Sequence, residues 1–185
     1  MAELLGAQVA SVDEAVDAAV GLTDVVLVPH SNAGLHAPRL ADRIGARGVV
    51  YVDAALPGDG PETTLAPPRF LAFLEELADA DGLLPPWTRW WDDTHGLFPD
   101  DATRAAVEAE QPRLPLSYFT GRVPVPDGWA DRPSAYLAFG DTYAEEISFA
   151  LASGWPVTAL PGRHLHQLVD PPGVAAAITV LVDRL

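Results

Sequence analysis

The chain has 185 residues, 49% of them hydrophobic, which predicts one domain with a sizeable buried core. Its formal net charge is −15, and all 11 basic residues are arginines, so nucleic acid is excluded as a partner for want of clustered positive charge, and anionic membrane surfaces are disfavoured for the same reason. Cysteine is absent, which excludes disulfides, thiolate metal sites and cysteine nucleophiles.

In chain order, the start Met1-Ala2-Glu3-Leu4-Leu5 lacks the basic opening and apolar core of a secretion signal. No apolar run reaches the length of about 20 residues that spans a bilayer, so a soluble cytoplasmic protein is expected. Residues 12–20 carry Val12, Val16 and Val20 at helical spacing, with Ser11 and Glu14 as a capping box and Gly21 as the stop. Residues 25–28 form a continuous apolar run, as in a strand covered on both faces, and a helix over 35–44 follows. Residues 49–52 are a second buried strand ending at Asp53. The long segment 54–133 shows helical spacing at 68–80 and 100–110, a cluster Trp87, Trp90 and Trp91, and no clear strand. A third strand is expected at 136–139, a helix at 142–153 and a fourth strand at 157–160. Asp170-Pro171-Pro172 opens a final helix with an N-cap and first-turn prolines. Strands alternating with helices predict an α/β fold: a short parallel sheet of about four strands flanked by helices.

Two stretches carry chemistry. In Val26-Leu27-Val28-Pro29-His30-Ser31-Asn32-Ala33-Gly34 an apolar run stops at a serine and small residues open a helix. That is the strand–turn–helix in which a serine hydroxyl is held up at the end of a sheet as a nucleophile, or alternatively a turn with a capping serine. Pro29 and Ala33 stand where the usual form of the turn has glycines. Near the other end, the strand at 157–160 leads into a loop carrying His164 and His166, and His164 precedes Pro171 by seven residues. His30-Ser31-Asn32-Ala33-Gly34 resembles the G-H-S-x-x-G turn, and His164 to Pro171 the H-M-x-M-x-x-x-P loop, of the α/β-hydrolase superfamily in its small esterase and hydroxynitrile lyase branch. The order serine first, histidine last agrees with it.

The resemblance implies a single domain over 1–185, with 55–133 as a helical lid inserted over the serine. A lid lined by Trp87 and Trp90 favours an apolar or aromatic substrate, although the rings can also seal the lid onto the body. It further implies that strands normally preceding the serine strand are lacking, a truncated form of the fold. The serine strand then becomes an exposed edge where a homodimer or a partner chain is expected to pair. Asn32 would supply one oxyanion donor through its backbone N–H, while the early loop that carries the second is missing. His30 lies beside the serine and is expected to help bind substrate.

His164 needs an acid to orient it, and two are in position: Asp53 after the second strand and Asp141 after the third. Asp141 is also readable as an N-cap, which favours Asp53, and both stay open. A metal pair at His164 and His166 lacks a third ligand at any supporting spacing, so no metal and no cofactor are expected. His166 is expected to pack, and His95, beside Asp92 and Asp93, to be solvated. The expected activity is a serine hydrolase acting on an ester, thioester or lactone of a small molecule through Ser31, His164 and Asp53 or Asp141. The alternatives are a lyase or cyclase using the same groups for acid–base work, and a degenerate, non-catalytic binding protein.

Overall fold

The structure, a computed structural model, describes residues 16, 17, 19–91, 94 and 96–185. The capping box at Ser11 and Glu14, most of the helix expected at 12–20, and His95 with Asp92 and Asp93 lie outside the described residues. The central sheet is parallel throughout, in the order β1–β3–β6–β7, where β1 is Val26–Leu27, β3 is Gly48–Ala54, β6 is Ser134–Phe139 and β7 is Val157–Leu160. A further strand, β2 (His30–Ser31), also pairs with β3, so β1 and β2 are two parts of one strand position. Pro29 makes the break, since it has no N–H for the ladder, yet its carbonyl still accepts from Val52 N at 2.9 Å.

Strand β3 is buried along its whole length, and β6 likewise, which is why both read as unbroken apolar runs. Val49, Tyr51, Tyr136 and Ala138 face one side, against Ala37 and Ala41 of α1 (Ala37–Ile44) and Ala150 of α5 (Ala144–Ala152). Val50, Val52, Leu137 and Phe139 face the other, against Val174 and Leu181 of α7 (Pro171–Val182). The alanines on α1 and α5 bring those helices close to the sheet. Helix α1 ends at Gly45 in the left-handed conformation, and Asp170 caps α7 by accepting from Gly173 N at 3.1 Å.

The segment between β3 and β6 contains α2 (Pro68–Leu77), α3 (Asp101–Glu110) and the short α4 (Leu116–Phe119), packed on a cluster of Ala66, Leu74, Leu84, Trp90 and Phe119. It also contains what the sequence did not reveal, an antiparallel ribbon of β4 (Glu62–Thr64) and β5 (Arg122–Pro124). Each strand has three residues and an exposed–inward–exposed pattern, too short for a period to register. The ribbon joins the two ends of the segment, and Val123 packs there with Leu65 and Leu35. Between β7 and α7 lies a single helical turn, α6 (His166–Val169). Among the described residues no helix is long and apolar enough to cross a membrane.

Gly34, in the turn after β2, has no room for a side chain: a Cβ there would sit 2.1 Å from the Ala55 carbonyl oxygen. Gly34→Ala is therefore expected to cost about 1–3 kcal/mol in a urea melt. Gly58→Ala, at a glycine with nothing within 4 Å of the added carbon, is expected to stay within about 0.5 kcal/mol.

Candidate active site

Ser31 ends β2 with φ 58 and ψ −134, a conformation that side-chain-bearing residues avoid. The chain turns so sharply that Asn32 already starts a 3-10 turn (Asn32–His36), and Gly34 slides under the Ala55 carbonyl. Ala55 N in turn donates to Ser31 O at 3.1 Å, which holds the turn against the end of β3.

Asp53 is placed by a second irregularity. The β1/β2 line pairs with β3 as Val26 with Gly48, Leu27 with Val49 and His30 with Val52, but Ser31 pairs with Ala54. Asp53 is thus an extra residue, with φ 41, and facing alternates accordingly: Ala54 joins Val49 and Tyr51 on one side. Such a bulge re-aims a side chain. The carboxylate, fully buried, accepts from Phe139 N at 3.0 Å through Oδ1 and from His164 Nδ1 at 2.7 Å through Oδ2. Where the ladder to β6 stops, the Tyr136 hydroxyl accepts from Ala54 N at 3.0 Å and donates to Ala54 O at 2.7 Å. Side chains thereby replace the lost strand pairing.

His164 follows β7 and completes the chain of bonds: its Nε2 lies 3.0 Å from Ser31 Oγ. A carboxylate only accepts, so Nδ1 carries the proton and Nε2 accepts from the serine hydroxyl. His30 stacks on His164 with ring centroids 4.5 Å apart, and its Nε2–H donates to the His164 carbonyl at 2.8 Å. Burial, and next the proximity of the His164 ring, which disfavours a second positive charge there, hold the His30 pKa down at about 4, so this ring is neutral at pH 7. The Tyr143 hydroxyl lies 3.4 Å from Ser31 Oγ.

The other expected residues fall in different places. The Asn32 side chain is tethered to the segment between β3 and β6, donating to Leu65 O at 2.8 Å and accepting from the Tyr118 hydroxyl at 3.2 Å. His36 lies 3.1 Å from the same hydroxyl, its pKa lowered by burial and by Arg39. Trp87 stands 6.5 Å from the His164 ring, with Trp91, 41% exposed, edge-on to it at 5.2 Å. Trp90 packs on Trp91 with ring centroids 5.6 Å apart but is itself buried between Phe70 and Phe119, and its indole N–H donates to Pro85 O at 2.7 Å. Asp141 is exposed and bonds neither to His164 nor to a helix end, because α5 begins only at Ala144. His166 packs edge-on against Phe139 and lies over Gly162, where a Cβ would come within 2.5 Å of its ring. Among the described residues no group of three His, Asp or Glu could hold a metal ion.

Sequence reading missed Tyr143, Tyr136 and Tyr118. The one available sign was a tyrosine, in place of a small polar residue, at the start of a helix.

No protein-family model and no curated protein matches this chain. Solved structures do. Polyneuridine aldehyde esterase superposes with a TM-score of 0.67 at 12% identity, over 92% of this chain and 77% of that one. A pyrethroid hydrolase superposes with a TM-score of 0.62 at 20% identity, over 91% of this chain and 74% of that one. The chain therefore has the α/β-hydrolase fold, as the two motifs implied.

Two tests follow from this geometry. With a folded pKa near 4 against about 6.5 in the unfolded chain, His30 binds its proton more readily when unfolded. Stability is thus complete above about pH 6.5 and lost as pH falls toward 4, by up to about 1.4 kcal/mol per unit. Urea midpoints across that window are expected to fall less steeply in His30→Gln than in the wild type. Tyr136→Phe leaves two buried backbone groups at Ala54 unpaired, and a stability loss of about 1–3 kcal/mol in the same melt is expected.

Proposed function

We propose that the protein is a serine hydrolase that cleaves an ester, thioester or lactone of a small apolar or aromatic molecule. The observation that carries this reading is the unbroken series Ser31 Oγ, His164 Nε2, His164 Nδ1, Asp53 Oδ2, with steps of 3.0 Å and 2.7 Å, raised on a strained turn at the end of a parallel sheet. It is supported by the fold shared with an esterase and a pyrethroid hydrolase.

In this reading Ser31 Oγ attacks the carbonyl carbon and His164 Nε2 takes the serine proton. The buried Asp53 carboxylate holds the ring in the tautomer that accepts at Nε2 and stabilises the imidazolium that forms. The tetrahedral intermediate collapses, the bond to the leaving oxygen or sulfur breaks, and His164 returns the proton to it. Water then cleaves the acyl-enzyme by the same route. The Asn32 backbone N–H, at the start of the 3-10 turn, donates to the oxyanion. His30 holds the His164 loop through the carbonyl bond and the ring stack. The segment 55–133 acts as a lid whose Trp87 and Trp91 offer apolar surface toward the reacting groups, while Trp90 holds the lid together. A net charge of −15 works against multiply anionic substrates.

Intact-mass labelling with a fluorophosphonate tests the reading: one adduct is expected on the wild type and none on Ser31→Ala. A folded wild type that takes no adduct would sink it. With p-nitrophenyl butyrate as substrate, Asp53→Asn is expected to lower kcat by about 10⁴-fold. Asp141→Asn is expected to stay within about twofold, as an exposed position with no bond to His164 should.

A further inference from the structure

Tyr143 occupies a position that helix capping does not explain. It is the N-cap of α5, with φ −115 and ψ 49, yet its side chain caps no backbone amide. Asp141 and Thr142, both better capping residues, stand just before it and are exposed. The tyrosine ring packs instead against the core cluster under α5 and lies 5.8 Å from the His164 ring. Among the described residues the one hydrogen-bond partner of its hydroxyl is Ser31 Oγ, at 3.4 Å. The serine proton is directed at His164 Nε2, so the tyrosine O–H is the donor of that pair. The distance exceeds the usual value of about 2.7–2.8 Å for an O–H···O bond. A donor set back from the resting serine oxygen is placed for an oxygen that arrives two bonds beyond it, which is where the oxyanion of a serine adduct forms.

We propose that Tyr143 is a catalytic residue whose hydroxyl, together with the Asn32 backbone N–H, donates to the oxyanion of the tetrahedral intermediate. This rests on the serine-hydrolase reading of the same site. As the bond from Ser31 Oγ to the carbonyl carbon forms, the π pair of the carbonyl moves onto its oxygen and the serine proton passes to His164 Nε2. Tyr143 keeps its own proton throughout, and the leaving group takes the one held by His164. Burial raises the phenol pKa, so at neutral pH the group is a fixed donor and a poor proton source. That matches the demand of an oxyanion, which needs a dipole, and not that of a leaving group, which needs a proton.

The test compares wild type, Tyr143→Phe and Ser31→Ala by three readings: kinetics on aryl butyrates, affinity for an aryl trifluoromethyl ketone, and melting temperature. The ketone forms a hemiketal with a reactive serine and places an oxyanion at the site. Tyr143→Phe is expected to lower kcat by about 10²-fold with KM little changed, and to weaken ketone binding by a similar factor. The loss should be the same across leaving groups of different pKa. With 3,5-difluorotyrosine in place of Tyr143, whose phenol is more acidic, activity is expected to fall with rising pH at the lowered phenol pKa. Ser31-dependent ketone binding that is equally tight in Tyr143→Phe would overturn the Tyr143 assignment alone. A loss that grows with leaving-group pKa would overturn it in favour of a proton donor. Wild type that binds the ketone no better than Ser31→Ala would overturn the hydrolase reading, and this proposal with it. If Tyr143→Phe melts far below the wild type, the difluorotyrosine pH profile decides, and a profile unchanged from wild type rejects the proposal.

Discussion

A single carboxylate buried to zero exposure organises this molecule. An uncompensated charge in such a place costs several kcal/mol, so every bond that Asp53 makes is obligatory. One oxygen takes the amide of Phe139 and the other takes His164, and the backbone itself carries an extra residue to point the carboxylate that way. Strand β3 and strand β6 can no longer pair beyond that point. The tyrosine hydroxyl of Tyr136 then fills the gap at Ala54 from the opposite strand. Core packing follows suit, because the extra residue puts Ala54 on the face that already carries Val49 and Tyr51.

The serine turn is built on the same edge by a comparable exchange. Ser31 sits in a costly backbone conformation, and the cost is offset by bonds that hold both flanks: Ala55 N to Ser31 O on one side, the Asn32 side chain to Leu65 O on the other. Tyr118 joins this network through Asn32 and His36, so the segment between β3 and β6 is bonded to the turn directly. Movement of that segment and the geometry of Ser31 are therefore mechanically linked. On the far side, His30 binds the His164 loop with its ring and its N–H, so the residue before Ser31 and the residue facing it are held as one unit. Strain at Ser31 is confined between two tethered loops.

How much of this was legible in the chain depends on the range of each interaction. The strands and helices of the sheet were readable because Val49, Val50 and Val52, or Leu137 and Phe139, are apolar for a local reason: both faces are covered. The serine turn and the histidine loop were readable because their geometry depends on neighbours in sequence, Gly34 and Pro171 among them. The β4–β5 ribbon was not, since three-residue strands paired across some sixty residues carry no period. Trp90 could not be told from Trp87 either, because which ring of the aromatic cluster is buried and which stands beside His164 is decided only once the cluster has packed.

Residue types and local spacing were enough to expect the α/β architecture, and to pick out the turn that carries Ser31 and the loop that carries His164, since these follow from burial periodicity and from turns that close within a few residues. The choice of Asp53 over Asp141 as the partner of His164 came from a one-residue shift in strand register, which no local pattern announces. The placing of Tyr143 beside Ser31, across 112 positions of chain, came from the way α5 packs on the sheet. Both depend on the meeting of distant segments, and a bulge or a helix start has its chemical meaning only against what it meets.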